Sequence, residues 1–179
     1  MLPVSWKTPL REWAARQNKG SRIAVLGIGN SFRSDDAAGV LVARGLAKSR
    51  LRRDPDSFLV IEAGYAPENV TAELRRFAAQ VVILVDAAEM GAAPGAIRWV
   101  EMDEIDGLSA STHSMPLSML SKYLILEWDC EVKILGLQPR STEIGESVSS
   151  EVLQAVDEIV AGLAELLPEI VTFEHLTLN

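Results

Sequence analysis

One cysteine, Cys130, stands in the 179 residues. No disulfide can therefore close within the chain, and no cysteine-rich zinc site can be built; the expected setting is reducing and cytoplasmic. Histidine is nearly as scarce, with only His113 and His175. No apolar run approaches the roughly 18 residues that would point to a membrane span. The stretch Met1 to Lys7 has neither the basic start nor the apolar segment of a secretion signal, so no membrane insertion is expected. Basic residues are outnumbered, 17 against 25 acidic ones, for a net charge of -8. That balance argues against general binding to nucleic acid or anionic membranes, which repel an acidic surface. Internal repeats and low-complexity tracts are absent as well.

What is present is a regular alternation of strand and helix patterns. Thr8 to Gln17 reads as a helix, with Thr8 as a cap and Pro9 at the first helical position. Ile23–Ile28, Phe58–Ile61, Val81–Val85 and Val132–Leu137 are short apolar runs of the kind found in buried parallel strands. Helices are expected over 35–48, from Pro67 to Phe77, from Leu117 to Trp128 and from Ser150 to Leu167. In the last, Val152, Val156, Ile159, Leu163 and Leu166 form one stripe. A further strand at Ala96 to Val100 follows Val81–Val85 after a connection of about nine residues, below the dozen or more a parallel crossover needs. It should therefore run antiparallel. The sum is an α/β domain with a mostly parallel sheet covered by helices on both faces. Residues 1–21 precede it as an N-terminal extension, 22–167 form the domain, and 168–179 are a C-terminal tail.

Open sheets of this kind bind ligands beyond the carboxyl ends of their strands. Gly29-Asn30 and Asp35-Asp36 follow the first strand, Glu62 and Gly64 the second, Asp86 the third and Gln138 the last. His113 precedes a helix that must descend to feed the last strand, so it belongs to the same edge. Two carboxylates and an imidazole, from Asp36, Asp86 and His113, make a reasonable open site for a divalent metal such as zinc or nickel. Each has a plainer explanation: first-turn acids suit the helix dipole, and an aspartate after a strand can be a turn former. Cys130 reads as a packing residue. Gly27-Ile28-Gly29 invites a nucleotide-binding interpretation, but Phe32 replaces the third glycine, and Asp35 and Asp36 would repel a pyrophosphate.

Taken in order, Gly27-Ile28-Gly29-Asn30-Ser31, Asp35-Asp36-Ala37-Ala38-Gly39, Glu62-Ala63-Gly64, Val85-Asp86-Ala87 and Thr112-His113 resemble the hydrogenase maturation endopeptidases. Ala66-Pro67-Glu68-Asn69, Met90-Gly91, His113-Ser114-Met115-Pro116-Leu117 and Leu137-Gln138-Pro139 resemble the branch that serves formate-hydrogenlyase-type hydrogenases. The resemblance implies a three-layer α/β/α fold with a mixed five-stranded sheet, one strand antiparallel. It implies Asp36, Asp86 and His113 as metal-contacting residues, with Asp36 and Asp86 as the catalytic carboxylates. It also implies removal of a carboxyl-terminal peptide from a nickel–iron hydrogenase large-subunit precursor, with the divalent metal, nickel, carried in by that substrate. Asp36 stands where many members carry glutamate, and Glu62-Ala63-Gly64 where the family often has Asp-Gly-Gly. The rival reading is a non-catalytic assembly factor that binds the nickel-loaded precursor without cutting it.

Overall fold

The structure, a computed structural model, describes residues 5–17, 20–100 and 115–171. Five strands form one sheet: β1 (Ile23–Ile28), β2 (Phe58–Gly64), β3 (Val81–Ala87), β4 (Ile97–Val100) and β5 (Glu131–Leu137), in the order β2-β1-β3-β5-β4. All neighbours are parallel except β4, which pairs with β5 in the opposite sense. The short connection before β4 thus has the outcome its length requires. Gly95 donates its N–H to Gln138 O at 2.9 Å, and Gln138 N donates to Ala96 O at 2.9 Å, so the ladder begins at the turn itself.

Among the described residues, five α-helices cover the sheet: α1 (Lys7–Ala14), α2 (Ala38–Leu46), α3 (Thr71–Phe77), α4 (Leu117–Trp128) and α5 (Ser150–Val171). Side chains alternate across a strand, and here the alternation divides two cores. Ile23, Val25, Val81, Ile83 and Val85 pack with residues of α1, α2 and α5; Ala24, Leu26, Ile28, Val82 and Leu84 pack with residues of α3 and α4. Central strands must be apolar on both faces for this reason, and β1 is buried at every position.

The N-terminal segment, set apart at the sequence level, is part of the first core. Leu10 and Trp13 are fully buried, and Trp6 is nearly so. Trp13 lies 5.5 Å from Trp99 between ring centres and donates its indole N–H to Glu131 at 2.8 Å. Trp6 lies against Gly162 of α5, where an added Cβ would come within 2.7 Å of its ring. This seat draws the start of α1 back to Lys7, with Trp6 rather than Thr8 at the capping position. Pro9 still falls in the first turn, whose N–H groups have no intrahelical acceptor. At the other end, α5 runs through Pro168 to Val171, past the expected boundary at 167, because Ile170 extends its buried stripe. Among the described residues, no helix is long and apolar enough to cross a membrane.

Candidate active site

The first turn after β1 is built by close backbone approach. Gly29 has φ +137°, and a Cβ there would lie 1.8 Å from the carbonyl oxygen of Asp36. Only glycine lets the chain fold back so tightly. Asn30 N then donates to Asp36 O at 3.2 Å and to Asp36 Oδ2 at 3.0 Å. The expected single helix over 35–48 is in fact a tight 3₁₀ turn, Ser34–Ala37, followed by α2. Ser34 opens it in the left-handed region at φ +42°, a conformation costing a serine about 1–3 kcal/mol that persists only when its surroundings enforce it.

The enforcement comes from far along the chain. Ser34 Oγ donates to Ser147 O at 3.0 Å, and Asp35 N donates to Ser141 O at 3.1 Å. The Asp35 carboxylate, 0% exposed, accepts four hydrogen bonds. Arg140 N at 2.8 Å, Ser141 N at 3.3 Å and Ser149 Oγ at 3.0 Å reach Oδ2, and Ser149 N reaches Oδ1 at 2.7 Å. Two adjacent aspartates therefore do different work. Asp35 turns inward and straps segment 140–149 to the turn, while Asp36 caps the end of β1. The residues of this strap were not singled out from sequence; their only trace there is Ser149, a capping-type residue before the last helix.

Asp86 stands near the end of β3, one residue past Val85, and is 1% exposed; Asp36 is 3% exposed. In register it faces Gly136 of β5, and its parity with Val82 and Leu84 turns it toward the face covered by α3 and α4. Asp36 belongs to the turn that leads into α2. Both aspartates lie at the carboxyl edge of the sheet, Asp36 in the turn after β1 and Asp86 near the end of the neighbouring β3, and α2 rests directly on the seam between those two strands. A Cβ on Gly39 would come within 2.1 Å of Val85 O and 2.3 Å of Ile28 O, and one on Gly27 within 2.1 Å of Gly39 O. The glycines of Gly27-Ile28-Gly29 are thus explained by packing and turn geometry rather than by a nucleotide.

Two further predicted edge residues, Gln138 and Glu62, make defined contacts. Gln138 is buried, accepts from Met90 N at 2.7 Å and Ala92 N at 3.2 Å through Oε1, and donates from Nε2 to Glu89 at 2.9 Å. It clasps the loop between β3 and β4. Glu62 pairs with Arg44 at 2.9 Å on the surface. Cys130 is buried, its Sγ donating to Leu124 O at 3.4 Å, and burial pushes its thiol above the ordinary value of 9.0. His113 and His175 lie outside the described residues. Among the described residues, no three His, Cys, Asp or Glu side chains gather as a metal cluster. Asp36 and Asp86 carry carboxylate oxygens, donors of the type that hard or borderline divalent ions accept.

A cavity of about 610 Å³ between α3 and α4, lined by Arg75, Arg76, Tyr123 and Trp128, includes neither aspartate. A smaller cleft of about 230 Å³ has neither aspartate in its lining either, but it includes Gly29 and Asn30, whose backbones pack against and hydrogen-bond to Asp36.

The family model described as hydrogenase maturation protease (HycI) matches residues 40–166. The hydrogenase 3 maturation protease of Escherichia coli K12 is 34% identical over 136 residues, covering 75% of this chain and 84% of that one. Among solved structures, the [NiFe] hydrogenase maturation protease HycI from Thermococcus kodakarensis KOD1 superposes with a TM-score of 0.76 at 28% identity. That match covers 89% of this chain and 99% of the other.

Proposed function

The chain belongs to the hydrogenase maturation protease family, a family of peptide-bond hydrolases, and from that premise we propose its particular reaction. It removes the carboxyl-terminal extension of a nickel–iron hydrogenase large-subunit precursor after nickel has been inserted, and the nickel in the precursor is what it recognises. The observation that carries this reading is that two recessed carboxylates, Asp36 and Asp86, stand at the carboxyl edge of two adjacent central strands.

Their recession matters. Only a group that reaches into the edge can contact them, and a metal ion held by the precursor is such a group. Carboxylate oxygens complete the coordination of an ion that already has its other ligands in the substrate, with His113 as the third contributor that the resemblance implies. An empty precursor offers nothing to those oxygens, so it gains no binding energy there. Water then adds to the scissile carbonyl. One aspartate takes the proton from that water and delivers it to the leaving amine as the C–N bond breaks, which is the usual share of a positioned general base and acid.

The experiment is to incubate the protein with precursor purified with and without nickel and to follow the released peptide by mass spectrometry. Release from the loaded precursor alone is expected. Equal release from both forms would reject recognition through nickel. Tight binding of the loaded precursor with no change in its mass would favour the assembly-factor reading instead.

A further inference from the structure

Scattered single hydrophobic side chains on a surface are ordinary, whereas a cluster marks a contact. Next to the turn that holds Asp36 such a cluster exists. Phe32 is 79% exposed, Tyr65 61% and Ile144 72%. Phe32 and Tyr65 line the same cleft of about 230 Å³, with Val40 as a buried apolar element of its wall. The backbone of Ile144 runs near that of Phe32, since the next residue, Gly145, donates its N–H to Phe32 O at 3.0 Å.

The Phe32 ring is presented by a held backbone. Its N–H donates to Asn30 Oδ1 at 2.9 Å, and its carbonyl accepts from Gly145. Asn30 is also the residue whose N–H donates to the Asp36 carboxylate at 3.0 Å. One short turn therefore fixes a catalytic candidate and an exposed aromatic ring together. Asp35 holds segment 140–149, which carries Ile144, against that turn. The charged members of the cleft, Arg44 and Glu62, satisfy each other at 2.9 Å. They leave no net charge to attract an ionic group.

We infer that Phe32 and Tyr65 form a specificity subsite that receives one apolar side chain of the precursor next to the scissile bond. The inference rests on the protease reading above. Occupancy by the substrate chain rests on continuity, because the cleft's wall includes Gly29 and Asn30, whose backbones contact Asp36. Its size sets the scale of the ligand. It falls below the roughly 300 Å³ at which pockets begin to enclose a whole small molecule, so it suits a single side chain. Held backbone on both sides of Phe32 lowers the ordering cost of binding, since little freedom remains to be lost.

The test compares full-length wild-type protein with Phe32→Ala, Phe32→Leu and Tyr65→Ala on nickel-loaded precursor, after circular dichroism has shown each variant folded. It repeats the comparison on precursors in which each residue flanking the scissile bond is changed to Asp. Phe32→Ala and Tyr65→Ala should raise KM about tenfold to a hundredfold, the range for lost apolar contact in a pocket, with kcat little changed. Phe32→Leu should restore most of the loss. At one flanking position the Asp substitution should weaken wild-type cleavage by a similar factor yet add little to the Phe32→Ala defect, because both remove the same contact. Unchanged KM, or fully additive losses at every flanking position, would overturn the subsite. So would altered self-association of Phe32→Ala without a KM effect, which would assign the cluster to contact between copies of this chain. Failure of wild-type protein to cut any loaded precursor would instead refute the reaction itself.

Discussion

Ser149 holds the carboxylate of Asp35 from two sides, its backbone N–H on Oδ1 at 2.7 Å and its hydroxyl on Oδ2 at 3.0 Å. The pair joins the start of α5 to the turn before α2, across 114 positions of chain. Because Asp36 is the next residue, whatever fixes Asp35 also fixes the backbone from which Asp36 projects. Asp35→Ala removes the shared acceptor of four donors. The expected loss is about 2–4 kcal/mol, given that hydrogen bonds to charged groups contribute about 1.5–3 kcal/mol each and that partly exposed donors recover some of it from water. Asp35→Asn retains one acceptor oxygen and should lose about half as much. Urea unfolding measures both, and a stability change within about 0.5 kcal/mol, as for an ordinary surface substitution, would contradict the strap.

Asp86→Asn keeps the side chain's shape while removing its charge. Release of the carboxyl-terminal peptide should fall at least about 100-fold, the lower end of what a positioned acid–base group contributes. Far-ultraviolet circular dichroism should be unchanged. Wild-type rates of release in the folded variant would remove Asp86 from the site.

Trp13→Ala empties a fully buried position in the core shared by α1, α5 and β4. Large-to-small changes of this kind cost about 3–5 kcal/mol, and Glu131 loses its indole partner as well. The urea midpoint should fall accordingly. Removal of residues 1–21 should then yield unstable or aggregated protein, because it exposes the core that Trp6, Leu10 and Trp13 cover. A truncated chain as stable as the whole would show that α1 is dispensable.

Cys130 carries no role in the proposed reaction, so Cys130→Ser should retain peptide release. Burial raises its folded-state value above 9.0, with Asp129 adding to the shift and a backbone hydrogen bond opposing it. The thiol therefore keeps its proton in the fold at a pH where the unfolded chain has begun to lose it. Its contribution to stability is complete below 9.0 and is lost as the pH rises through the folded-state value. The alkaline fall in stability should be shallower in Cys130→Ser. Native protein should also react slowly with thiol reagents until it is unfolded, and fast native labelling would contradict the burial.

Much of the architecture was readable before any coordinates, for physical reasons that particular segments make plain. Val81–Val85 had to be a central strand because it is apolar on both faces, and Leu117–Trp128 formed over the residues its pattern indicates. The antiparallel sense of β4 followed from a connection too short to cross over. Asp86 at the end of a buried strand was a site candidate on the same grounds. Such signals are local: period, length and turn chemistry lie within a few residues of the element they describe. The division of labour between Asp35 and Asp36 is not local. To a helix propensity both are first-turn acids, and only the left-handed Ser34 and the strap from Arg140 to Ser149 make one an anchor and the other a cap on β1. The same holds for α1, whose apolar stripe says that something covers Leu10 and Trp13 but not that α5 and Trp99 do. A sequence determines which faces must be buried; which distant segment buries them is decided only when the whole chain packs.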